Sequence, residues 1–256
     1  MIAKAGGMAD VTAAIVTSLF ELGADVHVAL PNYRKVFDTH SEVDHDRPLR
    51  EYRAKLPGRR IHFAEDSIFY YRPSVYAGDV AKMALRFQRE VVNNIIRDVK
   101  PDLVHCHDWT TGLIPGMARR LGIPSLFTLH NIHTHEASLD AIEDAGIPVR
   151  DFWTHLYFTT QPEDYESSRA HNRVNLLVSG IFAAHYVNTV SPTFLDEIVE
   201  GRHSFVPEDV RRELQNKADA GCAFGILNAP PPHYDPRTDP ALEATYDPSS
   251  HAAARA

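Results

Sequence analysis

The sequence has no excess of basic residues. Its 26 Lys and Arg are outnumbered by 34 Asp and Glu, which gives a formal net charge of -8 at pH 7. A protein that binds the phosphate backbone of nucleic acid needs a basic face that releases counterions. The charge balance therefore argues against a nucleic-acid partner.

The sequence also lacks a long apolar run. Its longest nearly unbroken run, residues 176–184, is far shorter than the roughly 20 residues that a membrane helix requires. The first residues do not show the charged, apolar and small-residue regions of a secretory signal. Cysteine is scarce, and Cys106 and Cys222 are too few for a disulfide framework. We therefore expect a cytoplasmic protein that makes no membrane contact.

The rest of the sequence alternates short apolar runs with amphipathic segments. Apolar residues at helical spacing predict helices over residues 9–22 and 79–99. Strands are predicted in the segments DVHVALP, RIHFAE, IFYYR, DLVHC, PSLFTLH and YVNTV, and further helices in GLIPGMARRLG, NRVNLLVSGIFAAH and SPTFLDEIVEG. Ser191 followed by Pro192 is typical of a helix N-cap. This alternation predicts an α/β fold, a parallel sheet with helices on both faces.

Two segments depart from the alternation. Residues 38–60 are polar, and we expect an excursion from the sheet there. Beyond Asn228 the composition changes abruptly, and residues 229–256 are too rich in proline and small residues to pack a core. The sequence therefore predicts one domain over residues 1–228 and a Pro/Ala-rich linker or tail over residues 229–256.

Four segments carry candidate functional residues, because ligands of an open parallel sheet bind beyond the carboxyl ends of its strands. They are KAGG with Lys4, Gly6 and Gly7, HCHDWTTG with His107, Asp108 and Trp109, LHNIHTHE with His130 and Asn131, and FGILNA with Asn228.

Three of these segments also have a simpler interpretation. Gly6 and Gly7 allow backbone N–H groups to approach a phosphate, with Lys4 adding positive charge, but glycines before a helix often form an ordinary turn. Asp108 could cap the following helix instead of contacting a ligand. Asn228 could be a turn residue.

The histidines of the second and third segments raise the alternative of a metal site. Five of the fifteen histidines lie in these two segments. Zinc ligands are held at fixed helical or knuckle spacing, which His130, His133 and His135 do not follow. A metal-dependent hydrolase is therefore a minor alternative.

Considered together, the segments KAGGMADV, HCHDWTTGL, FTLHNI, NTVSPTF and GILN follow the order and approximate spacing of the bacterial glycogen and starch synthase family. From Met1 to about Tyr246, the chain resembles the N-terminal half of such an enzyme. The resemblance implies a Rossmann-like domain, one of the two that face each other across a cleft in the GT-B arrangement. It also implies transfer of glucose from ADP-glucose to the non-reducing end of an α-1,4-glucan, with retention and without a metal or other cofactor.

The resemblance also implies roles for individual residues. Lys4, Gly6 and Gly7 match the family's Lys-x-Gly-Gly turn near the phosphates and sugar of the donor. Asn228 matches an asparagine that reaches the sugar. These four residues are expected to bind substrate.

The remaining matches lie in the middle of the chain. His130 and Asn131 match the His-Asn pair at the donor glucose, and Asp108 matches the aspartate that organises the cleft. We expect His130 and Asp108 to be catalytic and Asn131 to bind substrate, with groups around the sugar and phosphate acting by electrostatic stabilisation.

The chain departs from the family in several places. Ala5 stands where the family commonly has threonine, IHTHEAS replaces an apolar and aromatic segment, and NAPP replaces a glycine-containing one. The family's first strand precedes its Lys-x-Gly-Gly turn, and its second domain follows the point where this chain stops. We therefore expect little transferase activity from the chain alone, with a separately encoded C-terminal GT-B domain as a candidate partner. The alternative from another class is a non-catalytic glucan-binding or regulatory module.

Overall fold

The computed structural model describes residues 7–34, 60–229, 235–240, 242 and 245–247. Lys4, Gly6, residues 38–59 of the polar stretch and most of the proline-rich segment lie outside these residues, so the expectations for them stay predictions. Helix α1 (Gly7–Glu21) confirms the first predicted helix. The chain turns at Gly23, where a φ of +88° favours glycine.

Strand β1 (Val28–Pro31) pairs in parallel with β2 (Ile61–Ala64), as two of the apolar runs predict. The strand predicted at IFYYR is wrong, because Ser67–Tyr70 forms a short helix, α2. The Asp66 carboxylate caps this helix by accepting from the Ile68 N–H, and the Phe69 ring is fully buried. The helix cap therefore outweighs the strand preference of the aromatic residues.

The long amphipathic helix is confirmed. It runs as α3 (Val80–Glu90), a π-helical segment (Val91–Ile95) and α4 (Ile96–Val99). The Asp79 carboxylate caps its start by accepting from the Lys82 N–H.

Six more strands follow: β3 (Val104–His107), β4 (Ser125–Leu129), β5 (Glu136–Ser138), β6 (Arg173–Asn175), β7 (Tyr186–Thr189) and β8 (Ala223–Gly225). The main sheet has the order β3-β4-β7-β8, and all its neighbours are parallel. Strands β5 and β6 form a separate antiparallel pair. The four parallel strands confirm the predicted sheet.

The remaining helices are α5 (Ile114–Arg120), α6 (Leu139–Asp144), α7 (Tyr165–Ser168), α8 (Leu176–Ala183), α9 (Pro192–Val199) and α10 (Glu208–Asp219). They cover both faces of the sheet and confirm the predicted Rossmann-like α/β class. The core centres on β4, where Phe127 and Leu129 are fully buried. A Cβ on Gly180 of α8 would lie 2.3 Å from the Phe127 ring, so only glycine lets this helix approach the strand.

Two helices differ from the prediction. The helix predicted over residues 172–185 begins only at Leu176, because Arg173–Asn175 forms β6. Asn175 caps it, with its Oδ1 accepting from the Val178 N–H. Helix α10 is not predicted by the sequence pattern, because its buried apolar residues Val210 and Leu214 are one helical turn apart in a mostly polar segment.

The predicted cap at Ser191 is confirmed, because its hydroxyl oxygen accepts from the Phe194 N–H at the start of α9. Strand β8 ends against this helix, where a Cβ on Gly225 would lie 2.1 Å from the Pro192 Cα. Across the described ranges, no helix combines the length and hydropathy needed to cross a bilayer.

Candidate functional site

Two of the predicted segments meet at the carboxyl edge of the main sheet. Strand β3 ends at His107 and is followed by Asp108, while β4 ends at Leu129 and is followed by His130. The parallel register pairs His107 with Thr128, so the two strand ends lie side by side. This places Asp108 directly beside the loop that begins at His130.

The Asp108 carboxylate holds the start of that loop. Its Oδ1 accepts from the His130 N–H at 2.8 Å and from the Asn131 N–H at 3.4 Å, and its Oδ2 accepts from the Asn131 Nδ2 at 2.9 Å. The side chain makes no capping hydrogen bond to the 3₁₀ turn Trp109–Thr111. Asp108 is therefore not a helix cap, and it links the two predicted segments directly.

The backbone of Asp108 adopts an unusual conformation, with φ 54° and ψ -179°. Non-glycine residues rarely occupy this region, and doing so costs on the order of 1–3 kcal/mol. The conformation is held by the Asp108 N–H, which donates to the Thr128 carbonyl at 3.0 Å, and by the Thr111 N–H, which donates to the Asp108 carbonyl at 3.1 Å. A carboxylate at a backbone position that favours glycine indicates that its side chain is needed there.

Burial also changes the acidity of Asp108. The side chain is almost completely buried, and this desolvation raises its pKa to about 6. The N–H groups of His130 and Asn131 oppose the shift by stabilising the carboxylate. The group therefore titrates close to neutral pH and is mostly ionised at pH 7.

Asn131 uses most of its hydrogen-bonding capacity within the loop. Its Oδ1 accepts from the His133 N–H at 2.8 Å, and its Nδ2 donates to Asp108. An amide has two N–H groups and two lone pairs, so one of each is left for a ligand. The Asn131 side chain both orders the loop and retains a limited capacity to bind.

A row of histidines extends from the sheet to the loop. Thr128 Oγ1 donates its only proton to Asn188 Oδ1 at 2.6 Å, so it accepts from His105 Nε2 at 2.7 Å. His107 Nδ1 and His130 Nε2 lie 3.1 Å apart and share one proton. The His130 contact leaves its Nδ1 as the ring atom that can meet a ligand.

The three imidazoles of this row are neutral at pH 7. Burial, followed by the neighbouring histidines, lowers the pKa of His107 to about 2, and burial with His130 lowers that of His105 to about 4. Burial also lowers the pKa of His130. His130 therefore acts toward a ligand as a hydrogen-bonding group without a charge.

A cavity of about 620 Å³ opens beside this loop. One wall is formed by the loop and the other by side chains near α9 and α10. Its lining residues are His130, Asn131, Ile132, His133, Thr134, Phe194, Phe205 and Pro207. The sequence pattern predicts His130 and Asn131 but not the second wall, because Phe205 and Pro207 lie just before α10, a helix that the pattern does not indicate.

Other predicted residues lie elsewhere. Gly7 is exposed at the start of α1, and Asn228 is exposed beyond β8. Neither belongs to the described lining of the cavity. The structure therefore brings together Asp108, His130 and Asn131, whereas Gly7 and Asn228 do not line the cavity beside them.

The histidine-rich loop does not form a metal centre. His133 and His135 are exposed, and the His135 ring stacks obliquely on Trp109 at 5.6 Å. Within the described part of the chain, no group of three or more His, Cys, Asp or Glu side chains could hold a metal ion. The hydrolase alternative therefore lacks a ligand set among these residues.

The fold matches that of a known GT-B protein. The catalytic domain of starch synthase IV from Arabidopsis thaliana, whose structure contains ADP and acarbose, aligns with a TM-score of 0.68 and 23% identity. The alignment covers 96% of this chain and 53% of the plant chain. The fold is therefore that of one half of a GT-B glycosyltransferase.

The family follows from the sequence comparisons. The family model for the starch synthase catalytic domain matches residues 1–212, and the chain belongs to this family. The glycogen synthase of Exiguobacterium sibiricum is 30% identical over 95% of this chain and 53% of its own length. Glycogen synthase 2 of Geobacter sulfurreducens is 30% identical over 88% of this chain and 49% of its own. The chain thus spans about half the length of the curated relatives it matches.

Proposed function

We propose that this chain is the N-terminal glucosyltransferase domain of a glycogen or starch synthase. The reaction is transfer of glucose from ADP-glucose to the non-reducing end of an α-1,4-glucan, with retention at the anomeric carbon. Family membership supports the reaction class. The observation that carries the proposal is the pair His130 and Asn131, held by Asp108 beside a cavity at the carboxyl edge of the sheet.

The electrostatics of this edge suit departure of a nucleotide from a sugar. Positive charge develops on the sugar ring as the bond to phosphate breaks, and fixed groups around it act by electrostatic stabilisation. A neutral His130 offers a hydrogen bond to a sugar hydroxyl without repelling that charge. The buried Asp108 carboxylate adds negative potential and orients His130 and Asn131.

Further residues complete the proposed site. As their match to the family's motifs implies, Lys4, Gly6 and Gly7 are proposed to bind the phosphates and sugar of the donor, and Asn228 its sugar. The second GT-B domain supplies the rest of the cleft, so the chain alone has little or no transferase activity. This domain can be covalently joined or separately encoded.

The test is transfer of labelled glucose from ADP-glucose to glycogen. The chain is assayed alone and joined to the C-terminal half of the Exiguobacterium sibiricum glycogen synthase. We expect turnover only from the fusion, and a loss of more than about tenfold in the fusion carrying His130→Ala. Robust turnover by the chain alone contradicts an incomplete site, and unchanged turnover in the variant removes His130 from the catalytic residues.

The same assay with UDP-glucose in place of ADP-glucose tests the identity of the donor.

The alternative function is tested by combining this assay with a measurement of maltooligosaccharide and donor binding. A non-catalytic glucan-binding module predicts affinity for maltooligosaccharides without donor binding and without turnover in the fusion.

A further inference from the structure

An exposed aromatic ring stands on the wall of the cavity opposite the His130 loop. Phe205 lines the cavity, and the residue is 63% exposed. The next residue, Val206, is buried in the main core. Because Val206 anchors the chain inward, the Phe205 ring is directed away from the core.

The ring is contacted by a row of neighbouring side chains. The Phe205 ring centroid lies 4.9 Å from that of His203, and His203 lies 5.9 Å from the Phe194 ring. The Glu197 carboxylate of α9 fixes His203 through a 2.9 Å contact to Nε2. Phe205 is therefore a supported ring on a wall rather than a loose surface side chain.

We propose that Phe205 is a stacking platform for a pyranose ring of the acceptor glucan. An aromatic face covers the apolar C–H face of a sugar, while polar groups can meet its hydroxyls. The opposite wall supplies such groups, since His133 and Thr134 line the same cavity. Pockets of this kind combine an apolar surface with a few polar contacts. This inference rests on the proposed function, because it assigns the acceptor to the cavity that holds His130.

The surrounding charges favour a neutral sugar over the base and phosphates of a nucleotide. Helix α10 starts immediately after Pro207, and its first turn carries Glu208 and Asp209. These carboxylates occupy the end of the helix that would otherwise attract an anion. Glu208 is ion-paired with Arg211, and Asp209 accepts from the Asn175 Nδ2. A diphosphate near the ring would therefore still meet the negative charge of Asp209, whereas a neutral glucan would not be repelled.

The experiment is calorimetric titration of the full chain with maltotriose and, separately, with ADP. The variants are Phe205→Ala, the conservative Phe205→Trp, and Phe224→Ala as a matched control. Phe224 is 49% exposed on β8 and is absent from the described lining of the cavity. Because both rings are largely exposed, thermal unfolding should show that all variants remain folded.

We expect Phe205→Ala to weaken maltotriose binding at least about fivefold, and Phe205→Trp and Phe224→Ala to stay within about twofold of the original chain. The proposal is overturned if Phe205→Ala binds as well as the original chain, or if the original chain gives no heat with maltotriose. It is also overturned if Phe205→Ala loses ADP binding and keeps maltotriose binding.

These outcomes are distinguishable from failure of the proposed function. An inactive fusion together with Phe205-dependent maltotriose binding refutes the transferase and keeps the platform. An active fusion with binding that is insensitive to Phe205 refutes the platform and keeps the transferase.

Discussion

At Asp108, the backbone conformation should reverse the usual order of stability of an alanine and a glycine variant. Asp108→Ala and Asp108→Gly both remove the carboxylate and its hydrogen bonds to His130 and Asn131. Buried donors left without a partner cost on the order of 1–3 kcal/mol, so both variants should be about 2–4 kcal/mol less stable than the original chain. Any difference between the two variants reports on the backbone.

The sign of that difference follows from the dihedral angles. Glycine relieves strain of about 2 kcal/mol at φ 54° and ψ -179°. Against this, glycine loses about 0.7 kcal/mol through its more flexible unfolded state and about 0.8 kcal/mol through the missing buried methyl group. Asp108→Gly should therefore be about 0.5 kcal/mol more stable than Asp108→Ala, whereas at an ordinary site glycine is about 1 kcal/mol less stable.

Urea unfolding of both variants measures this difference. Lys100, with φ 52° and ψ 57° at the end of α4, supplies a positive control, because Lys100→Gly should also exceed Lys100→Ala in stability. If Asp108→Gly is the less stable variant by about 1 kcal/mol while Lys100 behaves as expected, the strain assigned to Asp108 is refuted.

Three further predictions concern stability. Burial raises the pKa of Asp108 from 3.8 to about 6, so the stability that its protonated form contributes to the fold is full below about pH 4 and is lost as the pH rises through about 6. Relative to Asp108→Asn, the unfolding free energy of the original chain should therefore fall by up to about 3 kcal/mol between pH 4 and 7. A difference between the two chains that does not change with pH contradicts this. Gly180→Ala should lower the free energy of unfolding in urea by about 1–3 kcal/mol, because the added methyl group overlaps with Phe127. Gly7→Ala, whose methyl group meets open space, should have little effect. Equal effects would argue against close packing at α8. Ser191→Ala should cost about 1 kcal/mol and Ser191→Asp much less, and equal losses would mean that the α9 cap contributes little.

The parts of the fold that could be predicted are those with a strong local signal. Three of the five residues of strand β4 are apolar, and Ser191 followed by Pro192 marks the start of α9. The prediction failed at residues 67–70, where the single hydrogen bond from Ile68 to Asp66 selects a helix over a strand. It missed α10 because two buried residues in a polar segment give only a faint periodic pattern.

The candidate site was predictable to the extent that it depends on strand ends. Asp108 and His130 each follow a strand, and parallel strands bring their carboxyl ends together. The hydrogen bond between His107 and His130 depends on the register of β3 against β4, which the sequence does not specify. Phe205 lies just before α10 and far from the His130 loop in the sequence, so no local pattern predicts that the two line the same cavity.

The cap of α8 ties the shape of the cavity to the stability of the fold. The Asn175 Oδ1 accepts from Val178 of the helix and from the hydroxyl of Thr134 on the cavity wall at 2.5 Å, while its Nδ2 donates to Asp209 of α10 at 3.0 Å. One amide thus serves two helices and the loop that lines the cavity. A library that randomises the loop but keeps Thr134 therefore preserves this link, whereas a library that includes position 175 will be depleted of folded members whatever is selected.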